Sequence, residues 1–269
     1  MKRYFTNTVI VDQLNMEDET TTQPTPDVPK ATLKTEDTGK IFEKAICDAY
    51  GIPYDGPFQY SQADVDKLTP RLKRLVTDNL FPPCVHTASK GARYDFTAVN
   101  GGEGGVHLSA KSNKKKGGKI APQVVGQSHP QKFCQELGVE YTTPEDLKQY
   151  IQANITTVLP MLWKYTFDSP IVYYVKDTND IRFITASGSA AAAPDWSSFQ
   201  YVWTRTHDKW TNSSSLKVIV DDGGGCGKRK EESILEFQFH TKSRQNMAVR
   251  WTIDKVLRIF SGHFTVVSL

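Results

Sequence analysis

The last hundred residues are dominated by short runs of β-branched and aromatic side chains: IVYYVKD, IRFITAS, FQYVWTRT, SLKVIVDD, SILEFQFHTK, MAVRWTID and FTVVSL. Such residues fit a pleated, half-buried surface, so each run predicts a strand. In SILEFQFHTK, Leu235, Phe237 and Phe239 alternate with Glu236, Gln238 and His240, giving one face to a core and the other to solvent or a ligand. Upstream the period changes. GKIFEKAICDAYG reads as a helix with Ile41, Phe42, Ala45, Ile46 and Ala49 on one face, capped by Thr38 and ended by Gly51. SQADVDKLTPRLKRLVTDNL predicts a second helix on Leu68, Leu72, Leu75 and Val76, with a basic outer face of Lys67, Arg71, Lys73 and Arg74 and a start or kink at Pro70. TPEDLKQYIQANITTVLPMLWKYTF predicts a third, starting at Thr143, while IAPQVVGQSHPQKFCQELG reads as helical in parts and broken at Pro130. Between them ARYDFTAV and VHLSAKS flank the turn NGGEGG, which predicts a hairpin. This order describes an α/β or α+β domain with a mixed β-sheet.

The 269 residues suffice for one large domain or two small ones, and 38% apolar with 23% charged side chains is a soluble globular composition. No apolar run reaches the roughly 18–20 residues of a bilayer span, and the first residues lack the apolar stretch of a secretory signal. Cys47, Cys84, Cys134 and Cys226 stand far apart with no CxxC spacing. That argues against a disulfide scaffold or structural zinc and for a reducing, cytoplasmic compartment. Residues 1–38 are polar and rich in Thr and Pro, with four basic against seven acidic side chains. They read as an appendage or arm, within which Val9–Val11 could add a strand, and the compact domain is expected over 39–269. The net charge of +3 therefore divides into −3 for the arm and +6 for the rest. From Lys90 to Lys119, seven Lys or Arg oppose only Asp95 and Glu103, a local excess suited to a polyanion such as nucleic acid.

The chemistry-bearing residues lie in that same basic stretch. Ser109 and Lys111 are two apart in the second strand of the hairpin and so project from one face, and Asp95 joins them if the hairpin is in register. A carboxylate, a polar group and a lysine on one patch can bind a divalent cation, orient a water and polarise a phosphate. The turn SNKKKGGK sets Lys114, Lys115, Lys116 and Lys119 beside this patch, with glycines that let a backbone approach phosphate closely. No GxxxxGK[ST] loop is present, and neither HExxH nor GxSxG occurs. The polar face carrying Gln238 and His240, followed by Lys242, Arg244, Gln245 and Asn246, has the donors and acceptors that read base edges.

GARYDF, the Gly-rich turn, HLSAKSNKKKGGKIAPQVVGQ and ILEFQFHTKSRQNMAVRW together resemble the PD-(D/E)xK nucleases, specifically type II restriction endonucleases. The resemblance implies a restriction endonuclease-like core, a central mixed β-sheet flanked by helices, and Mg²⁺-dependent hydrolysis of duplex DNA at a short sequence, by a homodimer where the target is palindromic. It makes Asp95 the metal-binding aspartate, Lys111 the catalytic lysine and the Ala110 carbonyl a further metal ligand. Ser109 stands where the family has Glu or Asp, so either a water bridges to Ser109 or another carboxylate substitutes. Glu43 on the first helix is the leading substitute, and Glu103, in the Gly-rich turn, is expected to be solvent-exposed. Gln123, with Gln127 beyond it, would offer a polar side chain to the phosphate or the lysine. Two other activities remain open on the same residues: a nuclease that reads DNA structure, and a non-catalytic DNA-binding protein on a degraded nuclease fold.

Overall fold

The computed structural model describes residues 35–88, 92–100, 105–186, 193–204, 213–221, 229–240 and 246–269. Val9–Val11, Glu103, Cys226, Lys242 and Arg244 lie outside them, as does most of the arm. Helices α1 (Thr35–Tyr50), α2 (Gln62–Leu72) and α3 (Arg74–Thr77) come first, followed by strands β1 (Cys84–His86), β2 (Phe96–Ala98), β3 (His107–Asn113) and β4 (Lys119–Ile120). Then come α4 (Pro130–Leu137), α5 (Pro144–Ala153), α6 (Ile155–Phe167), β5 (Ile171–Val175), β6 (Asp180–Ala186), β7 (Tyr201–Trp203), β8 (Ser213–Asp221), β9 (Arg229–Phe239), β10 (Met247–Thr252), α7 (Ile253–Ile259) and β11 (Phe264–Ser268).

The class is α+β, but the strands form two sheets instead of one. The first, in order β1-β2-β3-β5-β6-β11, is mixed: β3 and β5 run parallel and the other pairs antiparallel. The second, β4-β10-β9-β8-β7, is wholly antiparallel. A parallel pair needs a long crossover, and here it holds β4 and α4–α6. One core lies between α1, α2 and one face of the first sheet, built on Phe42, Ile46, Leu72, Phe96, Leu108 and Val172. The other joins the opposite face, through Ile171, Tyr173 and Val175, to α6 and the second sheet. At its centre Trp251 is fully buried against Trp163, Phe167 and Trp196, and its Nε1–H donates to Thr166 Oγ1 at 2.9 Å.

All seven strand-like runs contain a strand, although MAVRWTID turns into α7 after Thr252. Thr38 is no cap: it is buried inside α1, which starts at Thr35 with Glu36 and Asp37 in its first turn. Gly51 does end α1, at φ +66°. The second helix breaks at Lys73, leaving Val76 exposed, and the third breaks at Asn154. Pro130 starts α4 instead of breaking it, since its missing N–H is no loss at a first helical position. The basic face of α2 and α3 is not free: Arg71 and Arg74 donate to the carbonyls of Leu269 and Ser268 at 3.0 and 2.7 Å and tie the helices to the end of β11.

Trp251→Ala should lower stability by about 3–5 kcal/mol through the cavity it leaves. Val266→Ala, at an exposed position, should change it by no more than about 0.5 kcal/mol. Chemical denaturation of the two variants checks both figures.

Candidate active site

The hairpin pairs Phe96 with Leu108 and Thr97 with His107. Continuing that register sets Asp95 opposite Ser109, but the pairing stops there and the two strands part. The Ser109 N–H donates across to Pro170 on the β5 side, at 2.9 Å. Strand alternation turns the Ala110 N–H and carbonyl the other way, where β2 has ended. Asp95 Oδ2 fills that gap, accepting the Ala110 N–H at 2.7 Å, and Lys111 Nζ stands 3.8 Å from the same oxygen. Asp95 and Lys111 are thus brought together at the Ala110 N–H. Burial, with the negative charge of Glu43 adding to it, pushes the Asp95 carboxyl above the ordinary carboxylate range despite Lys111, the Ala110 N–H and Lys40.

Glu43 reaches the same region from α1 and is only 8% exposed. Its Oε2 lies 3.0 Å from Lys40 Nζ and 3.5 Å from His86 Nε2. Burial alone raises its pKa, but His86 and Lys40 outweigh that and hold the carboxyl below its ordinary value. Two carboxylates of opposite tendency therefore share one site, one penalised for its charge and one held ionised. With the Ala110 carbonyl turned into the same gap, the donors are all oxygen, which suits a hard divalent cation such as Mg²⁺. Among the described residues no group of three or more His, Cys, Asp and Glu side chains is gathered for a metal. A cation here would rest on Asp95, Glu43 and Ala110.

Ser109 is fully buried, and its hydroxyl accepts from Gln123 Nε2. Gln123 is not on a helix. It sits in a tight turn after β4 where Val124 has φ +64°. A Cβ on Gly126 would meet the Pro122 carbonyl at 2.2 Å, so the turn needs glycine. The Gln123 carbonyl oxygen of the side chain accepts from Arg93 Nε at 3.3 Å, and Arg93 pairs with Asp168, which also accepts from the Tyr94 hydroxyl at 2.8 Å. Ser109 and Gln123 are thereby brought together on the face of β3 that also carries Lys111. The sequence pattern did not single out Arg93, Asp168 or His86. Arg93 lies in GARYDF, two residues before Asp95, whereas His86 belongs to a three-residue strand too short to show a period.

Lys111, Ser112, Asn113, Lys119, Gln127 and Arg250 line a cleft of about 570 Å³. Lys119 and Arg250 both pair with Glu236, at 2.9 and 2.7 Å, and Arg250 donates to Gln238 at 2.7 Å. Lys119 therefore borders the cleft that holds the candidate lysine, and Gln238 is tied to that cleft through Arg250. Lys115 and Lys116 are exposed and Lys114 is half-buried, in a turn whose Gly117 and Gly118 also line the cleft. His240 does not join them. It lines another cavity of about 400 Å³ with His129, Tyr141 and Asn246.

Comparison with known proteins gives one informative likeness. Over 238 residues the chain is 36% identical to the type II restriction enzyme CviAII of Paramecium bursaria Chlorella virus 1. The match covers 88% of this chain and 64% of that relative, so the chain spans a little under two-thirds of its length. No family model and no solved structure matches the chain. The likeness supports a restriction endonuclease-like relationship over most of the chain.

Because the folded state raises the Asp95 pKa, ionised Asp95 costs stability. The cost is absent below the ordinary carboxylate pKa and complete once pH has risen past the folded value. Asp95→Asn keeps an acceptor for the Ala110 N–H and removes the charge. It should raise the melting temperature at pH 7, with the gain fading toward about pH 3. A thermal melt series over pH checks the sign.

Proposed function

We propose that this chain is an endodeoxyribonuclease of the type II restriction kind, hydrolysing phosphodiester bonds of duplex DNA at a short sequence with Mg²⁺. The observation that carries the reading is Asp95 held on the Ala110 N–H with Lys111 3.8 Å away where β2 parts from β3, near enough to Glu43 to feel its charge and beside a cleft edged with Lys119 and Arg250. The likeness to a restriction enzyme supports it. Asp95 and Glu43 would hold the cation, with the Ala110 carbonyl. A bound cation supplies Lewis-acid polarisation of the phosphate and a more acidic water. Lys111 contributes a compact positive charge to the scissile phosphate and to the water near it. Asp95, 3.8 Å away, keeps that ammonium over the site. Ser109 and Gln123 brace the strand on the same face next to Lys111, and the Ser109 hydroxyl, already accepting from Gln123, serves as support more than as a ligand.

The exposed Lys115 and Lys116, with Lys114 and Lys119, would touch phosphates without reading sequence. Gln238 lies on the polar face of the second sheet, where base edges could be read. A short palindromic target would call for a homodimer. The described cysteines Cys47, Cys84 and Cys134 are free and buried, as in a reducing, cytoplasmic setting. Among the described residues no helix is long and apolar enough to cross a membrane.

Incubation with long duplex DNA and Mg²⁺ should yield discrete fragments. A smear would indicate cutting without sequence preference, and intact but bound DNA would make the chain a binding module. Lys111→Met should slow cleavage by on the order of 10²–10³ or more at any Mg²⁺ concentration while duplex binding persists, read by single-turnover cleavage and gel shift. Neutralising Lys115 and Lys116 should weaken binding to all sequences alike and flatten the slope of log affinity against log salt by roughly 0.9 for each phosphate charge no longer neutralised. An unchanged slope would make that turn a bystander.

A further inference from the structure

His86 is almost wholly buried, with its side chain 1% exposed. It belongs to β1, which pairs with β2 so that His86 stands directly opposite Phe96, the residue after Asp95. Its ring stacks on Tyr54 at 4.7 Å and meets Phe96 at 5.1 Å, so the ring cannot turn freely. Nδ1 accepts the Asp55 N–H at 3.1 Å, which leaves a ring proton on Nε2. Nε2 is buried and has no hydrogen bond of good geometry among the described residues, and Glu43 Oε2 lies 3.5 Å from it. The next residue, Thr87, grips the backbone around Asp95 twice. Its N–H donates to the Asp95 carbonyl at 2.9 Å and its hydroxyl to the Tyr94 carbonyl at 2.9 Å. The last residue of β1 and the one after it therefore bear on both acidic residues: Thr87 holds the main chain of Asp95, and His86 faces the Glu43 carboxylate through Nε2.

We propose that His86 is a positioning residue that aims the Glu43 carboxylate at Asp95, so that the first helix and the hairpin present one divalent-cation site. The inference rests on the reading of Asp95 and Glu43 as cation ligands. A lysine alone cannot do this, because Lys40 sits on the same helix as Glu43 and moves with it, whereas His86 is tied to β2. Outer groups that orient a ligand are commonly worth about 10–100-fold in metal affinity.

The test is calorimetric titration of the full chain with Mn²⁺ alone, backed by the Mg²⁺ dependence of cleavage. His86→Asn keeps an acceptor for the Asp55 N–H but is too short to reach Glu43. It should weaken Mn²⁺ binding about tenfold and raise the Mg²⁺ needed for half-maximal cleavage by a similar factor, while the rate at saturating Mg²⁺ stays near wild type. His86→Gln puts an amide N–H back within reach of Glu43 and should restore most of the loss. Unchanged Mn²⁺ affinity in His86→Asn, or equal loss in both variants, would overturn the proposal. Both variants are compared by thermal melt, and if His86→Asn does not fold, His86→Gln binding Mn²⁺ as weakly as Glu43→Gln would equally overturn it. Asp95→Asn separates this from the underlying reading: wild-type Mn²⁺ affinity in that variant would remove the cation site itself, whatever His86 does.

Discussion

Strand β3 is shared by two cores, and the placement of the site follows from that. Leu108 and Ala110 face α1, while Ser109 and Lys111 face the side where α6 and the second sheet pack. A strand buried on both faces has one register, because a slip by one residue would send Lys111 into the apolar layer around Phe42 and Leu108. The register fixed by Leu108 against Phe96 in turn sets Asp95 at the mouth of the hairpin. There the Ala110 N–H has no strand partner and takes the carboxylate instead. The candidate site is thus seated on a strand, where the β2–β3 ladder opens.

At that opening the charge on Asp95 works against folding, while the charge on Glu43 is held in place by its neighbours. Burial and Glu43 both disfavour ionised Asp95, and Lys111 and the Ala110 N–H only partly offset this. Glu43 depends on His86 and Lys40. Sites that keep an unfavourable charge in place are frequently sites of function. Beside them Ser109, Gln123, Arg93 and Asp168 form a chain of side-chain hydrogen bonds that ends in an ion pair.

Much of this was legible in the sequence because its signals were local. β-Branched and aromatic runs marked the strands from β5 to β11, and the Gly-rich turn marked the hairpin that joins Asp95 to Lys111. What escaped was non-local. The division of the strands into two sheets depends on which edges meet, and the alternation in SILEFQFHTK is the same in either arrangement. The break at Asn154 and the burial of Thr38 were set by packing, which overrides capping preference. The turn carrying Gln123 reads as helical because nothing in APQVVGQ announces the left-handed Val124. His86 was invisible because its role depends on the meeting of residues 43 and 86, and three residues of strand carry no period.

On the proposed reading Asp95 and Glu43 hold a single cation. A double-mutant cycle on Mn²⁺ affinity, with Asp95→Asn, Glu43→Gln and the double variant, tests it most directly. If both carboxylates grip one ion, each single change weakens binding and the double variant loses less than the sum of the two, since the second change acts on a site already broken. Strictly additive losses, or wild-type affinity in either single variant, would contradict the account.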